Sequence, residues 1–355
     1  MRAHVKRVPS SGSGRIVEPQ RMIGAARSQE RIAAMTSGLI DFHHHARPAA
    51  YFEALIASGR STVGGRTLPP AWTADGALAN MDRMGIATAL VSAPDADLLY
   101  RDRPVALEMS RMLNDLFAKT IASHPARFGA FASLPMPHMD DTLRELAHAL
   151  DDLKLDGVML STSYAGRYLG DPELDPLLAD LDRRAALVFV HPVTPMGIER
   201  LALDFPAPLL EYAFDTTRCI ANLLRRDVPA RFPRLKMVFS HAGGAVPWLV
   251  PRLALMSLML TPSHEVRVAE DRARIVRGLR SYFYDVAMSG TDPVLGLLAE
   301  IVGTDRIVFG SDYPLVPDAY IAATADAVLH SDALDEGQRR AIARDTALRL
   351  LPRFA

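Results

Sequence analysis

From residue 39 onward, short apolar and β-branched runs recur between longer amphipathic stretches, and this alternation limits the chain to a few architectures. The runs fall at 39–43, 86–92, 128–134, 157–161, 187–191, 236–240, 282–286 and 307–311. Apolar periods of helical type occupy 105–123, 140–153, 175–184, 217–226 and 292–301 between them. Strands that alternate with helices pair in parallel, because each helix carries the chain back to the start of the next strand. Eight such units predict an α/β fold of one (β/α)8 TIM-type barrel over 37–355 with loop insertions, whose usual size is about 250 residues. A doubly wound sheet also alternates strand and helix, but no GxGxxG follows the first strand. The stretch 335–350 reads as a helix closing the barrel.

Residues 1–36 are of another kind. Arg2, Lys6, Arg7, Arg15, Arg21, Arg27 and Arg31 are interleaved with Ser, Gly and Pro, and no apolar period is sustained. We expect a disordered leader, with Met35 as a candidate start ahead of the first strand. Two further segments interrupt the alternation: 58–72, after the first strand, and 194–212, after the fifth and rich in proline. Both lie on the side of the barrel where its strands end, which is where the loops that build sites in this architecture belong.

Composition excludes several function classes. Forty basic and forty-one acidic side chains leave a net charge of -1, which offers no footprint for nucleic acid or an anionic membrane. Cys219 stands alone, so there is no internal disulfide and no Cys-based metal cluster, and the chain reads as cytoplasmic. No window approaches the roughly 20 apolar residues a membrane helix needs.

The eleven histidines are the ligands that remain. The first strand ends in Asp41-Phe42-His43-His44-His45, where His43 and His45, two apart on a strand, share a face. The fifth run ends in His191, the sixth in Ser240-His241-Ala242-Gly243-Gly244 and the eighth in Ser311-Asp312-Tyr313-Pro314. Each apolar run delivers one ionisable group at its C-terminal edge, and in a closed barrel these edges converge. The division that follows places His43, His45, His191 and Asp312 around one divalent ion and leaves His241 free for proton transfer. Such a donor set suits zinc best, and its carboxylate also admits manganese.

Taken in order, the motifs IDFHHH (40–45), FVHP (189–192), SHAGGAVPW (240–248) and FGSDYP (309–314) resemble the amidohydrolase-2 family, the branch with aminocarboxymuconate-semialdehyde and resorcylate decarboxylases. The resemblance spans about 38–352 and implies a distorted barrel with one metal on His43, His45, His191 and Asp312 and a catalytic His241. Binuclear branches carry a carbamylated lysine at the end of the fourth strand. Here 157–162 reads Gly-Val-Met-Leu-Ser-Thr, so the site is mononuclear. The decarboxylase subgroup also implies a homodimer in which Arg252 reaches the neighbouring subunit's site, and a second carboxylate-binding arginine matched by Arg66.

A guanidinium fork binds a carboxylate with both arms, so the expected activity is that of a carboxy-lyase: non-oxidative, metal-dependent decarboxylation of an aromatic or unsaturated carboxylic acid. The competing reading is a hydrolase of an amide or lactone, since the same ligands would activate a water. A silent binding protein on this scaffold is the third, opposed by the intact set of five site residues.

Overall fold

The computed structural model describes residues 38–57, 62–63, 66–67, 71–94, 102–201, 206–261 and 265–355. The expectation for the leader, residues 1–36, lies outside the described residues. Eight parallel strands follow one another in sequence and in space: β1 (Leu39–His45), β2 (Ile86–Ser92), β3 (Phe128–Ala132), β4 (Gly157–Ser161), β5 (Leu187–His191), β6 (Lys236–Phe239), β7 (Phe283–Asp285) and β8 (Ile307–Val308). The eighth run is shorter than expected because its second half leaves the ladder to close the barrel. Phe309 and Tyr313 form parallel bridges to Asp41 and His44, with Phe42 N–H donating to the Phe309 carbonyl at 3.0 Å and Asp312 N–H to that of His43 at 2.8 Å. Closure and the juxtaposition of Asp312 with β1 are thus one event.

Period-two alternation divides each strand between two cores. Phe131, Met159, Leu187, Phe189, Val238, Phe283 and Val308 fill the barrel interior with Ile40 and Phe42, while Val188, Val190, Met237, Phe239 and Tyr284 pack outward against the helices. The inner cluster ends on Ala347 and Leu351, with Leu348, Leu350 and Phe354 against it. The closing helix expected at 335–350 is present as Glu336–Arg340, a π-helical turn Ala341–Asp345 and Thr346–Leu350, entered through a capping box in which Asp335 accepts from Gln338 N–H. Apolar side chains therefore stopper the end of the barrel where the strands begin.

The connecting helices match the periodic segments with adjusted ends. That expected at 217–226 starts a turn and a half earlier, at Glu211, and 140–153 divides into Met139–Ala147 and a π-helical turn His148–Asp152. The insertion after β1 begins only after a helix, Ala49–Ala57, and contains a short antiparallel pairing of Thr62–Val63 with Arg66–Thr67.

Candidate metal centre

On three strands the inward register runs directly into a titratable group. Leu187, Phe189 and His191 alternate along β5, Phe283 and Asp285 along β7, and Val308 leads through Gly310 to Asp312. Strand β1 departs from strict alternation. Ile40 and Phe42 already belong to the inner core, which would turn His43 and His45 outward, but the pairing with β2 slips between Asp41 and His44. Such an irregularity re-aims the side chains beyond it. His43 consequently meets Phe189 edge-on at 4.9 Å and brings its Nε2 to 3.0 Å from that of His45.

Gly310 makes this approach feasible, since a Cβ there would stand 2.9 Å from the His43 Cβ and 3.1 Å from that of Asp285. The turn after β6 is tightly wound, with His241 and Ala242 at φ 55° and 57°, and Asp312 lies at φ 58°. Left-handed backbone at non-glycine residues is costly and persists where surrounding contacts enforce it.

One ligand atom each from His43, His45, His191 and Asp312 lies within 4.8 Å of the others, and all four residues are buried. Every imidazole has its Nδ1 occupied. That of His43 donates to Asp285 Oδ2 at 2.8 Å, that of His45 faces Ser92 Oγ at 3.4 Å, and that of His191 donates to the Pro192 carbonyl at 2.7 Å. Each Nε2 is left facing a common centre, and outer partners of this kind are what orient ligating histidines. The Nε2 atoms of His43 and His45 stand 3.0 Å apart, so either a proton or a cation must lie between them. Asp312 Oδ1, 3.0 Å from His45 Nε2, has no well-directed hydrogen bond of its own. The donor set therefore fits a divalent ion: this is a metal-binding site.

The electrostatics agree. Burial alone would lower the His43 pKa, but Asp285, Asp312 and Asp41 raise it to about 9. Burial pushes His45 down to about 3, with the positive neighbours His43 and Arg47 adding to the effect against the pull of Asp312. Burial likewise holds His191 well below the ordinary imidazole range. Burial would raise Asp312, yet His43, His241 and His45 keep it well below the usual carboxylate range. The cluster thus favours one positive charge among four groups.

His241 stands beside this centre and outside the ligand set, its Nε2 3.7 Å from Asp312 Oδ2 and its ring 5.1 Å from that of His43. Arg252 lies elsewhere, exposed on the helix Val246–Leu253. Arg66 belongs to the short antiparallel pairing, and its side chain lies outside the described residues.

Sequence reasoning missed three participants. Asp285 is fully buried, and its Oδ1 accepts from His241 N–H at 3.0 Å and Ala287 N–H at 2.9 Å while Oδ2 holds His43, so one carboxylate fixes both a ligand and the turn that presents His241. Its signal was a lone acid at an inward position of an apolar strand. Tyr212 places its ring 5.9 Å from that of His191. Arg47, two residues beyond β1, is 7% exposed, with its guanidinium carbon 5.9 Å from the Tyr51 ring centroid.

A parallel eight-stranded barrel with a mononuclear site at its C-terminal mouth defines the class: a metal-dependent barrel enzyme of the amidohydrolase type. Residues 40–353 match the sequence profile of the amidohydrolase family, and the chain belongs to that family. It is 33% identical to the 6-methylsalicylic acid decarboxylase acuB of Aspergillus aculeatus, over 89% of this chain and 96% of that one. Among solved structures, an amidohydrolase II superposes with a TM-score of 0.81 at 27% identity, over 89% of this chain and all of that one. A dihydroxybenzoic acid decarboxylase from Polaromonas, solved with bound manganese and 2-nitroresorcinol, shares the fold at a TM-score of 0.73 and 21% identity, over 88% of this chain and 96% of that one.

Proposed function

We propose that the barrel mouth carries out non-oxidative decarboxylation of an aromatic carboxylic acid, with a substituted salicylate as the first candidate. The observation that carries this reading is a mononuclear three-histidine, one-aspartate centre in a chain similar over nearly its whole domain to a 6-methylsalicylic acid decarboxylase. When bound, the ion supplies Lewis-acid attraction for the carboxylate and an adjacent oxygen of the acid. His241, held by Asp285 through its backbone, delivers a proton to the ring carbon bearing the carboxylate. A C–H bond forms there, the C–C bond to the carboxylate breaks, its electron pair restores the ring, and CO2 departs. Three imidazoles favour zinc, and the manganese of the Polaromonas enzyme makes that ion the alternative to load.

We further assign Arg252 to the site of a second subunit in a homodimer, and Arg66 to the orientation of the acid. Trp248, 79% exposed, lies one helical turn before Arg252, and Met259, also 79% exposed, continues an apolar face with Leu255. Such a face is typical of a surface covered by another chain. The family match starts at residue 40, which supports 37–355 as the catalytic domain. Among the described residues no helix is long and apolar enough to cross a membrane, and with a single buried cysteine we assign the enzyme to the cytoplasm.

The test is CO2 release from a panel of hydroxybenzoates by zinc- and manganese-loaded protein, with an Arg252→Ala and His241→Ala mixture as the dimer arm. Turnover of at least one salicylate, and partial recovery in the mixture, are expected. No CO2 from any acid would overturn the activity, and no recovery in a demonstrated heterodimer would overturn the shared site.

A further inference from the structure

Among the described residues Arg47 is the one buried arginine or lysine. Among the partly sheltered arginines Arg184 is paired with Asp151 and Asp180, whereas Arg226, far from the strand ends in sequence, also has a buried Nε without a partner but is less buried than Arg47. Arg47 donates no side-chain hydrogen bond and joins no ion pair among the described residues, and its Nε is buried without a partner. The Tyr51 ring at 5.9 Å gives a guanidinium at most a weak cation–π contact. A buried charge without a counter-charge is costly, and a fold tolerates it where an anion completes the site.

The position of Arg47 indicates which anion. It follows β1 by two residues at the mouth where His45 ends the strand, and its carbonyl accepts from Trp72 N–H at 2.8 Å, which fixes its backbone. Its charge acts on both His45 and Tyr212, and Tyr212 packs against the ligand His191. Arg47 thus follows the last ligand of β1 by two residues, buried at the end of the barrel where the metal ligands gather.

We propose that Arg47 is the specificity-determining residue that binds the substrate's carboxylate within its own subunit. The assignment rests on the decarboxylase reading for the identity of the acid, and on the burial and lack of partner of Arg47 for the presence of an anion subsite. A guanidinium that pairs with the carboxylate before reaction strengthens substrate binding more than it lowers the barrier, so it governs KM rather than kcat. It also favours product release, because the decarboxylated phenol no longer offers an anion to the fork.

The experiment compares metal-loaded wild type, Arg47→Met and Arg47→Lys by two readouts: kinetics on the best hydroxybenzoate, and calorimetric binding of salicylate against neutral salicylamide. Arg47→Met is expected to keep its metal and to raise KM on the order of 100-fold with kcat changed only a few-fold. The preference for salicylate over salicylamide should fall by a similar factor, and Arg47→Lys should recover part of both. If Arg47→Met folds poorly, Arg47→Lys still decides, since a loss of fork geometry with the charge kept should cost several-fold in KM and in acid preference. Unchanged KM and unchanged acid preference in a folded variant would overturn the proposal. Should wild type turn over no benzoate, the decarboxylase reading fails, and the salicylate and salicylamide titrations still decide the role of Arg47.

Discussion

The two ends of the barrel interior are built from the same strands under opposite physical demands. Where the strands begin, Leu187, Phe283 and their neighbours meet Ala347 and Leu351, and apolar packing closes the barrel. Where they end, the same inward register yields His191, Asp285 and Asp312, buried polar groups of which His191 and Asp285 are hydrogen-bonded and Asp312 faces the imidazoles of His43 and His45. The first end stabilises the fold by area removed from water. The second gives up stability, with His241, Ala242 and Asp312 in left-handed backbone and a charge-hungry centre, in return for a site able to hold a cation and an acid. Substitutions at the two ends should therefore fail in different ways.

The largest effects are expected among the ligands. His191→Ala and Asp312→Ala each open the coordination shell, and both should lose the metal and at least about three orders of magnitude in turnover. His241→Ala should keep the metal and lose turnover to a comparable degree. Metal analysis beside CO2 release separates the two outcomes, and a metal-free His241→Ala protein would contradict the division of roles.

Asp285→Asn comes next. It keeps the shape but weakens the acceptor for His43 Nδ1–H and for the His241 turn, so metal affinity should fall by about 10- to 100-fold. Competition with a chelator measures this. An unchanged affinity would mean that Asp285 acts on the turn alone.

At the apolar end, Leu351→Ala should cost about 2–4 kcal/mol of stability, read from denaturant unfolding, while the folded fraction keeps wild-type kcat/KM. Altered kinetics there would show that the two ends are mechanically coupled. The smallest effect for a single step is that of one pH unit. Because the His43 pKa is raised to about 9, a proton occupies the cluster below that value and must leave when the ion enters. Metal affinity should therefore climb about tenfold per pH unit up to about pH 9 and then level, with about one proton released per ion bound.

Most of the architecture was legible because period-two alternation and helical periodicity are local, and local patterns survive in a sequence. The four ligands were legible for the same reason, since each terminates an apolar run and a barrel brings run ends together. What the sequence did not reveal depends on contacts distant along the chain. Strict alternation placed His43 and His45 together on one face, but only the slip against β2 turns that face inward after Phe42. Asp285 looked like an isolated acid until its distance to His43, 242 positions away, became visible. Arg47 gave no signal, because an arginine after a strand is ordinarily solvated and only its burial makes it informative. The loops around Arg66 and Thr194 follow no period, so their side chains had no readable placement.

The chemistry assigned to this mouth exchanges a carboxylate for a proton on the same carbon. Turnover of carboxyl-labelled 6-methylsalicylate in D2O by metal-loaded protein tests it most directly. One labelled CO2 per acid consumed and one deuterium on the ring carbon that lost it are expected. The contradicting result is no CO2 from any benzoate alongside consumption of a lactone or amide with solvent oxygen in the product acid.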